Sequence, residues 1–254
     1  MSKTENKYDW HKIDIDKVGV KGLRYPILLS DKAHKQQHTI AQINMYVNLP
    51  HRFRSTHMSR FIAILNRFHR EMAIHNVGKI LKAMKKDLKA KSAHLEMEFP
   101  YFIEKQAPVT KASGLMEYRC HFNGALTDKI RLLLGVSVPI LTLCPCSKEI
   151  AEKSAHNQRG EIRVLTRFKG FLWIEDLIEL VENCASSPIY SLLKRADEKY
   201  VTDHAYDNPV FVEDVARNVA EKLDGHPNVV WYSIEVESHE SIHNHDAYAY
   251  IEKK

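Results

Sequence analysis

The chain reads as an α+β protein built on antiparallel sheets, and three features of its 254 residues predict this. Polar and apolar residues alternate along 39–49, Thr-Ile-Ala-Gln-Ile-Asn-Met-Tyr-Val-Asn-Leu, as on a half-buried strand. From Ser59 the period lengthens, and Phe61, Ile62, Leu65, Phe68 and Met72 recur at helical spacing. An order of strands, helices and strands then returns more loosely in the second half. Two ββααββ-like modules are therefore expected, over 18–135 and 136–254, behind a loosely ordered segment at 1–17.

Taken in order, a first strand is expected near 18–24, ahead of the one at 39–49. Ser59 offers a cap for the first helix, and a second helix is expected over 75–89. Strands follow at 93–107, 114–124 and 129–142, the last rich in Leu, Val and Ile and running directly into Cys144. Beyond it, 159–168 reads as a strand. Amphipathic helices are expected at 174–184 and 210–223 with short helical pieces between them, and 228–238 with 246–252 as a closing strand pair. Antiparallel sheets leave edges, which invite closure into a barrel or assembly between subunits.

At 44% hydrophobic and 27% charged, with nine glycines and nine prolines, the composition is that of a folded chain with a substantial core. Lys and Arg number 37 against 32 Asp and Glu, a net charge of +5 spread along the chain. A polyanionic small molecule accounts for that excess as easily as a nucleic acid, and no nucleic-acid partner is expected. The basic run from Lys79 to Lys91 reads as the solvated face of a helix. No stretch reaches the roughly 18 apolar residues that span a bilayer, so no membrane partner is expected. The polar start, Met-Ser-Lys-Thr-Glu-Asn-Lys, lacks an apolar signal region, and a cytoplasmic location is the expectation. Four cysteines are too few for a disulfide scaffold. Cys120 and Cys184 lie in apolar settings and read as core residues.

Chemistry concentrates in three places. In Cys144-Pro145-Cys146 the proline fixes its own φ and disfavours the helical conformation for Cys144, so the tripeptide is expected to be extended with both thiols on one side. That suits a shared metal, or a nucleophile beside a second thiol. His156 follows with Asn157, Gln158 and Arg159 behind it. It is either a surface histidine or a partner of Cys144, since a thiolate and an imidazole are compatible zinc ligands and a catalytic zinc site keeps a position open. The third place is Ser238 to Asp246, which packs His239, Glu240, His243, His245 and Asp246 together. It reads as a metal clasp, an acid–base set or a solvated turn. Glu213 stands at an expected helix start, where the helix dipole favours a carboxylate. Glu198 is not distinctive by itself.

The run Val138-Pro139-Ile140-Leu141-Thr142-Leu143-Cys144-Pro145-Cys146-Ser147-Lys148-Glu149-Ile150, followed by Ala155-His156-Asn157-Gln158-Arg159, closely resembles the central motif of type IB GTP cyclohydrolases. Three further segments fit the same family in the same order: 16–26, Thr56-His57-Met58-Ser59-Arg60-Phe61, and 237–247. The resemblance covers about residues 16–252. Ser154 stands where a glycine is expected, which affects only the local turn.

The resemblance implies the tunnelling fold, whose modules pair an antiparallel sheet with two helices and whose subunits assemble sheets into barrels. It implies a homotetramer with active sites at subunit interfaces, where basic residues of a neighbouring chain are expected to hold a triphosphate. The reaction implied converts GTP and water into 7,8-dihydroneopterin triphosphate and formate, the entry step towards tetrahydrofolate. A divalent ion, Zn2+, Mn2+ or Fe2+, is implied, with Cys144, His156 and Glu198 as its ligands. Glu213 is implied to accept guanine's N1–H and exocyclic amine. Cys144, Cys146, Glu240, His243 and His245 are implied as the catalytic set, the histidines because they titrate near neutrality.

Two other enzymes of that fold compete. A nitrile-reducing queuosine enzyme would need a nicotinamide-binding motif that is not found here, and a pterin synthase would use a histidine-only metal site. A non-catalytic zinc-stabilised binding module is the alternative from another class, and it would close its metal site with four ligands.

Overall fold

The computed structural model describes residues 12–68 and 76–254. Residues 1–11 of the expected N-terminal segment, and Met72 of the expected helix, lie outside the described residues.

The elements run β1 (Ile15–Asp31), β2 (Lys35–Leu49), α1 (Met58–Arg67), α2 (Val77–Asp87), β3 (Ala93–Gln106), β4 (Ser113–Leu126), β5 (Ile130–Leu143), α3 (Pro145–Ile150), β6 (Asn157–Phe168), α4 (Ile174–Glu182), β7 (Ser187–Pro188), α5 (Arg195–Asp207), α6 (Val212–Asp224), β8 (Val229–Ser238) and β9 (Ala247–Glu252). The strands are hydrogen-bonded in the order β1-β2-β3-β4-β5-β6-β8-β9, with β7 against β5. The ladders of β1 with β2, β2 with β3, β5 with β7, β6 with β8 and β8 with β9 are antiparallel. The chain forms two compact units, one of residues 1–100 and 121–133, the other of residues 101–120 and 134–254.

In the first unit, alternation on β2 buries Ala41, Ile43, Met45 and Val47. Phe61, Ile64 and Leu65 of α1, and Val77, Ile80, Leu81 and Met84 of α2, are buried as well. Helix α2 lies so close to β4 that a Cβ on Gly124 would come within 2.7 Å of Val77 Cγ1. β1 is longer than expected and takes in Pro26, which an edge strand tolerates because one side of its backbone needs no N–H. Ser59 lies inside α1 rather than capping it. The cap position belongs to His57, whose side chain makes no capping bond. Among the basic run, Lys79, Lys82, Lys86, Lys89 and Lys91 are exposed.

The second unit packs helices over strands in the same way. Ile162 and Val164 of β6 and Ile234 and Val236 of β8 are buried, as are Leu177, Ile178 and Val181 of α4 and Val215, Val219 and Leu223 of α6. Cys120 and Cys184 are buried in this core, and burial pushes both thiols up. Instead of short helical pieces between α4 and α6 there is one 13-residue helix, α5. Its start is fixed by Asp197, which is fully buried and accepts from the backbone N–H groups of Lys194 (3.0 Å), Val109 (2.9 Å) and Thr110 (2.8 Å) and from Thr110 Oγ1 (2.6 Å). No helix among the described residues is long and apolar enough to cross a membrane.

Candidate active site

The chain after β5 turns into α3, and this corrects the expectation of an extended Cys144-Pro145-Cys146. Cys144 alone is extended, at φ −71° and ψ 118°, and serves as the cap. Pro145 takes the first helical position, for which its fixed φ is already suited. Ser147 N–H points at Cys144 Sγ at 3.5 Å, and the Ser147 hydroxyl donates to the Cys144 carbonyl at 3.1 Å. Cys146 is consequently exposed on a helix instead of alternating with Cys144.

The loop 151–156 returns the chain to the same place. Cys144 N–H donates to the His156 carbonyl at 3.1 Å, and His156 N–H donates to Ser147 Oγ at 3.2 Å. Ser154 sits in this loop without a positive φ, so a glycine is not required there. β6 then starts, and alternation buries Gln158, which is 8% exposed. Gln158 Oε1 lies 2.9 Å from His156 Nδ1, and its Nε2 donates to Glu240 Oε1 at 3.3 Å. Ser241 Oγ completes the group, 3.3 Å from His156 Nδ1 and 3.5 Å from Gln158 Oε1.

β8 delivers the late cluster to this end of the sheet. His239 N–H donates to the Arg159 carbonyl at 2.9 Å, and Thr142 Oγ1 and Ser238 Oγ are 3.0 Å apart. Residues 241–245 form a bend rather than a strand, in agreement with the turn reading. His243 nonetheless meets His156 edge-on at 6.5 Å and stacks on His245 at 5.2 Å. Val210 N–H donates to the Leu143 carbonyl at 3.2 Å, which brings the start of α6 beside Cys144. The result is a cavity of about 220 Å³ whose lining includes Cys144, Gln158, Phe211, Glu213, Glu240 and Tyr248.

Cys144, Glu213 and Glu240 thus share one cavity, and His156, His243 and His245 join it through side-chain contacts. Glu198 stands exposed on α5 and is not among the residues that line the cavity. Its neighbour Asp197 faces the β3–β4 turn, and one residue along a helix turns the side chain by about 100°. Gln158, Ser241, Phe211 and Tyr248 are given no role by the sequence, where Gln158 figures only as a polar neighbour of His156. For Gln158 the available signal was its spacing of two from His156, which puts the two on one side of an extended chain.

The donors suit a divalent ion in kind: a thiol, and an imidazole whose Nδ1 is engaged and whose Nε2 remains for a metal. The ligand atoms of Cys144, His156 and Glu198 do not all lie within 4.8 Å of one another. Among the described residues that closeness is met by Glu237, His239 and Asp246. There Glu237 is held by Arg163 at 2.7 Å and His239 Nδ1 lies 3.2 Å from Asp246, so each of the three already has a side-chain partner.

Crystal structures of uricases from Arthrobacter globiformis and Bacillus fastidious superpose with TM-scores of 0.51 and 0.54, covering 94% and 93% of this chain and 92% of each uricase. At 7% identity this likeness shows a shared fold alone. Sequence relatives are much closer. Proteins named GTP cyclohydrolase FolE2 from Syntrophus aciditrophicus and Syntrophotalea carbinolica are 57% and 56% identical, over 100% and 99% of this chain and 100% and 95% of their own lengths. The one from Geobacter sulfurreducens is 55% identical over 100% of this chain and 98% of its own. A family model described as type I GTP cyclohydrolase folE2 matches residues 1–249, and the chain belongs to that family.

Proposed function

We propose that the chain is a GTP cyclohydrolase, converting GTP and water into 7,8-dihydroneopterin triphosphate and formate at the start of the folate pathway. The observation that carries this reading is the cavity itself, which is lined by both Cys144 and Glu213 in a chain of this family.

Guanine offers an N1–H and an exocyclic amine side by side, and one carboxylate accepts from both. Glu213, in the first turn of α6, is given that task, with its position at the positive end of the helix keeping the charge favourable. Cys144, His156 and Glu198 are the residues that would hold a divalent ion. Such an ion supplies Lewis acidity, lowering the pKa of a water that can attack C8. Thiol, imidazole and carboxylate together accept zinc, manganese or iron. Opening the imidazole ring, rearranging the sugar and closing the pterin ring all require proton transfers. His243, His245, Glu240 and Cys146 are the groups proposed for them. His243 stacks on His245 and meets His156 edge-on, which gathers three imidazoles in one place.

The two sequence modules, 18–135 and 136–254, are proposed as repeats of one tunnelling-fold unit. Four chains are proposed to assemble as a cytoplasmic homotetramer, its sites completed by basic residues of a neighbour that hold the triphosphate.

The test is turnover of GTP by purified protein with a panel of divalent metals, read as released formate and, after oxidation, a fluorescent pterin. Cys144→Ala and His156→Ala are expected to abolish both signals while melting as the parent does. Metal-loaded protein that leaves GTP unchanged would sink the reading.

A further inference from the structure

The contacts around His156 have a polarity that can be read from one end. An ionised carboxylate only accepts, so the 3.3 Å contact between Gln158 and Glu240 uses the amide NH2. That turns Gln158 Oε1 towards His156, 2.9 Å from Nδ1. A carbonyl oxygen also only accepts, so Nδ1 carries the hydrogen. The Ser241 hydroxyl, 3.5 Å from the same oxygen, is left to donate to it. In a neutral imidazole one nitrogen is protonated and the other keeps its lone pair, which here is Nε2.

We propose that Gln158 is a positioning residue that locks His156 in the Nδ1–H tautomer, aiming the Nε2 lone pair at a divalent metal ion, and that Glu240 anchors this lock through the Gln158 amide. The inference rests on the proposed role of His156 as a ligand. Gln158 is 8% exposed, and its place on β6 sets its amide beside the ring. The backbone that carries the ring is held as well, with the His156 N–H tied to Ser147 and its carbonyl to Cys144. An oxygen acceptor on the far nitrogen both fixes a metal-binding imidazole and makes it more basic, and losing such a partner weakens metal binding by about 10–100-fold.

Two measurements test this without turnover. In 15N-labelled metal-free protein at about pH 8, where imidazole is neutral, long-range 1H–15N spectra are expected to show His156 as the Nδ1–H tautomer, its signals identified by their loss in His156→Ala. Zn2+ alone, competed against a chromophoric chelator, is expected to bind Gln158→Met about 10–100-fold more weakly than the parent. The double variant Gln158→Glu/Glu240→Gln reverses the donor and acceptor between the two positions, keeps an acceptor on Nδ1, and is expected to recover most of the lost affinity. An Nε2–H tautomer in the parent protein overturns the proposal whether or not any variant folds. So does a Gln158→Met variant that binds Zn2+ as tightly as the parent, or a double variant as weak as Gln158→Met. If His156→Ala itself binds Zn2+ undiminished, the ligand reading falls and this inference with it. If His156→Ala loses Zn2+ while Gln158→Met keeps it, only the role of Gln158 falls.

Discussion

Glu213 and Asp197 are both carboxylates at helix starts, yet they are engaged differently. Asp197 is fully buried and saturated by donors, whereas Glu213 is exposed in the first turn of α6 and lines the cavity. A saturated carboxylate serves the fold, and an unsaturated one facing a cavity is available to a ligand. Glu213→Gln retains the shape but puts an N–H against the donors of guanine. A site built to accept from a substrate N–H loses about 100-fold in kcat/KM when that acceptor is spoiled, and this is the loss expected with GTP. An unchanged kcat/KM would remove Glu213 from guanine recognition. For Asp197, burial pushes the carboxyl up, but the donors from Thr110, Lys194 and Val109 prevail and hold it well below the usual carboxylate range. A depressed carboxyl contributes stability that is complete above its unfolded pKa, near 3.9, and fades as pH falls through the folded value. Asp197→Asn is therefore expected to lower Tm clearly at neutral pH, with the gap to the parent narrowing below about pH 4. A gap that stays constant down to acid unfolding would contradict this.

Among the elements, β6 and β8 bear most of the site. They approach so closely that a Cβ on Gly160 would lie 2.6 Å from the Glu237 carbonyl. Backbone cannot yield as a flexible side-chain tip does, so Gly160→Ala must push β8 away from β6. Overpacking of this kind costs about 1–3 kcal/mol, and a fall of that size is expected in urea unfolding. β8 leads into Glu240, so kcat is expected to fall as well, whereas loss of stability with full activity would mean that the site tolerates the shift. The elements that alternation predicted, such as 39–49 and 93–107, were legible because each strand buries one face, a property written in consecutive residues. The misses share a different cause. α3 was hidden because Pro145 argues locally for an extended chain and equally for a first helical turn. α5 was broken into pieces on paper because what fixes its start, Asp197 with Val109 and Thr110, bridges almost ninety residues of chain. Gln158 stood out only as a polar neighbour of His156 ahead of the expected strand, since its partner Glu240 is 82 residues away. Cys144, His156 and the late histidines were visible because reactive side chains announce themselves by type, whereas the groups that orient them do not.

For the molecule as a whole, the strand order begins with β1 and ends with β9, and among the described residues neither has a second neighbouring strand to pair its backbone donors and acceptors. Edges of this kind pair with other chains unless they are blocked. β9 carries exposed Tyr248 and Tyr250, aromatic residues typical of contact surfaces. Tyr248 also lines the cavity with Glu213 and Glu240, so a chain that paired along β9 would reach the rim of the site. This links the proposed tetramer to catalysis rather than to stability alone. Light scattering is expected to give a mass four times that of the 29.4 kDa chain. On serial dilution, specific activity is expected to fall in step with that mass and to return on reconcentration, because a site completed by a neighbour is lost with the neighbour. A dilute single chain that turns over GTP at the full rate would overturn the shared site.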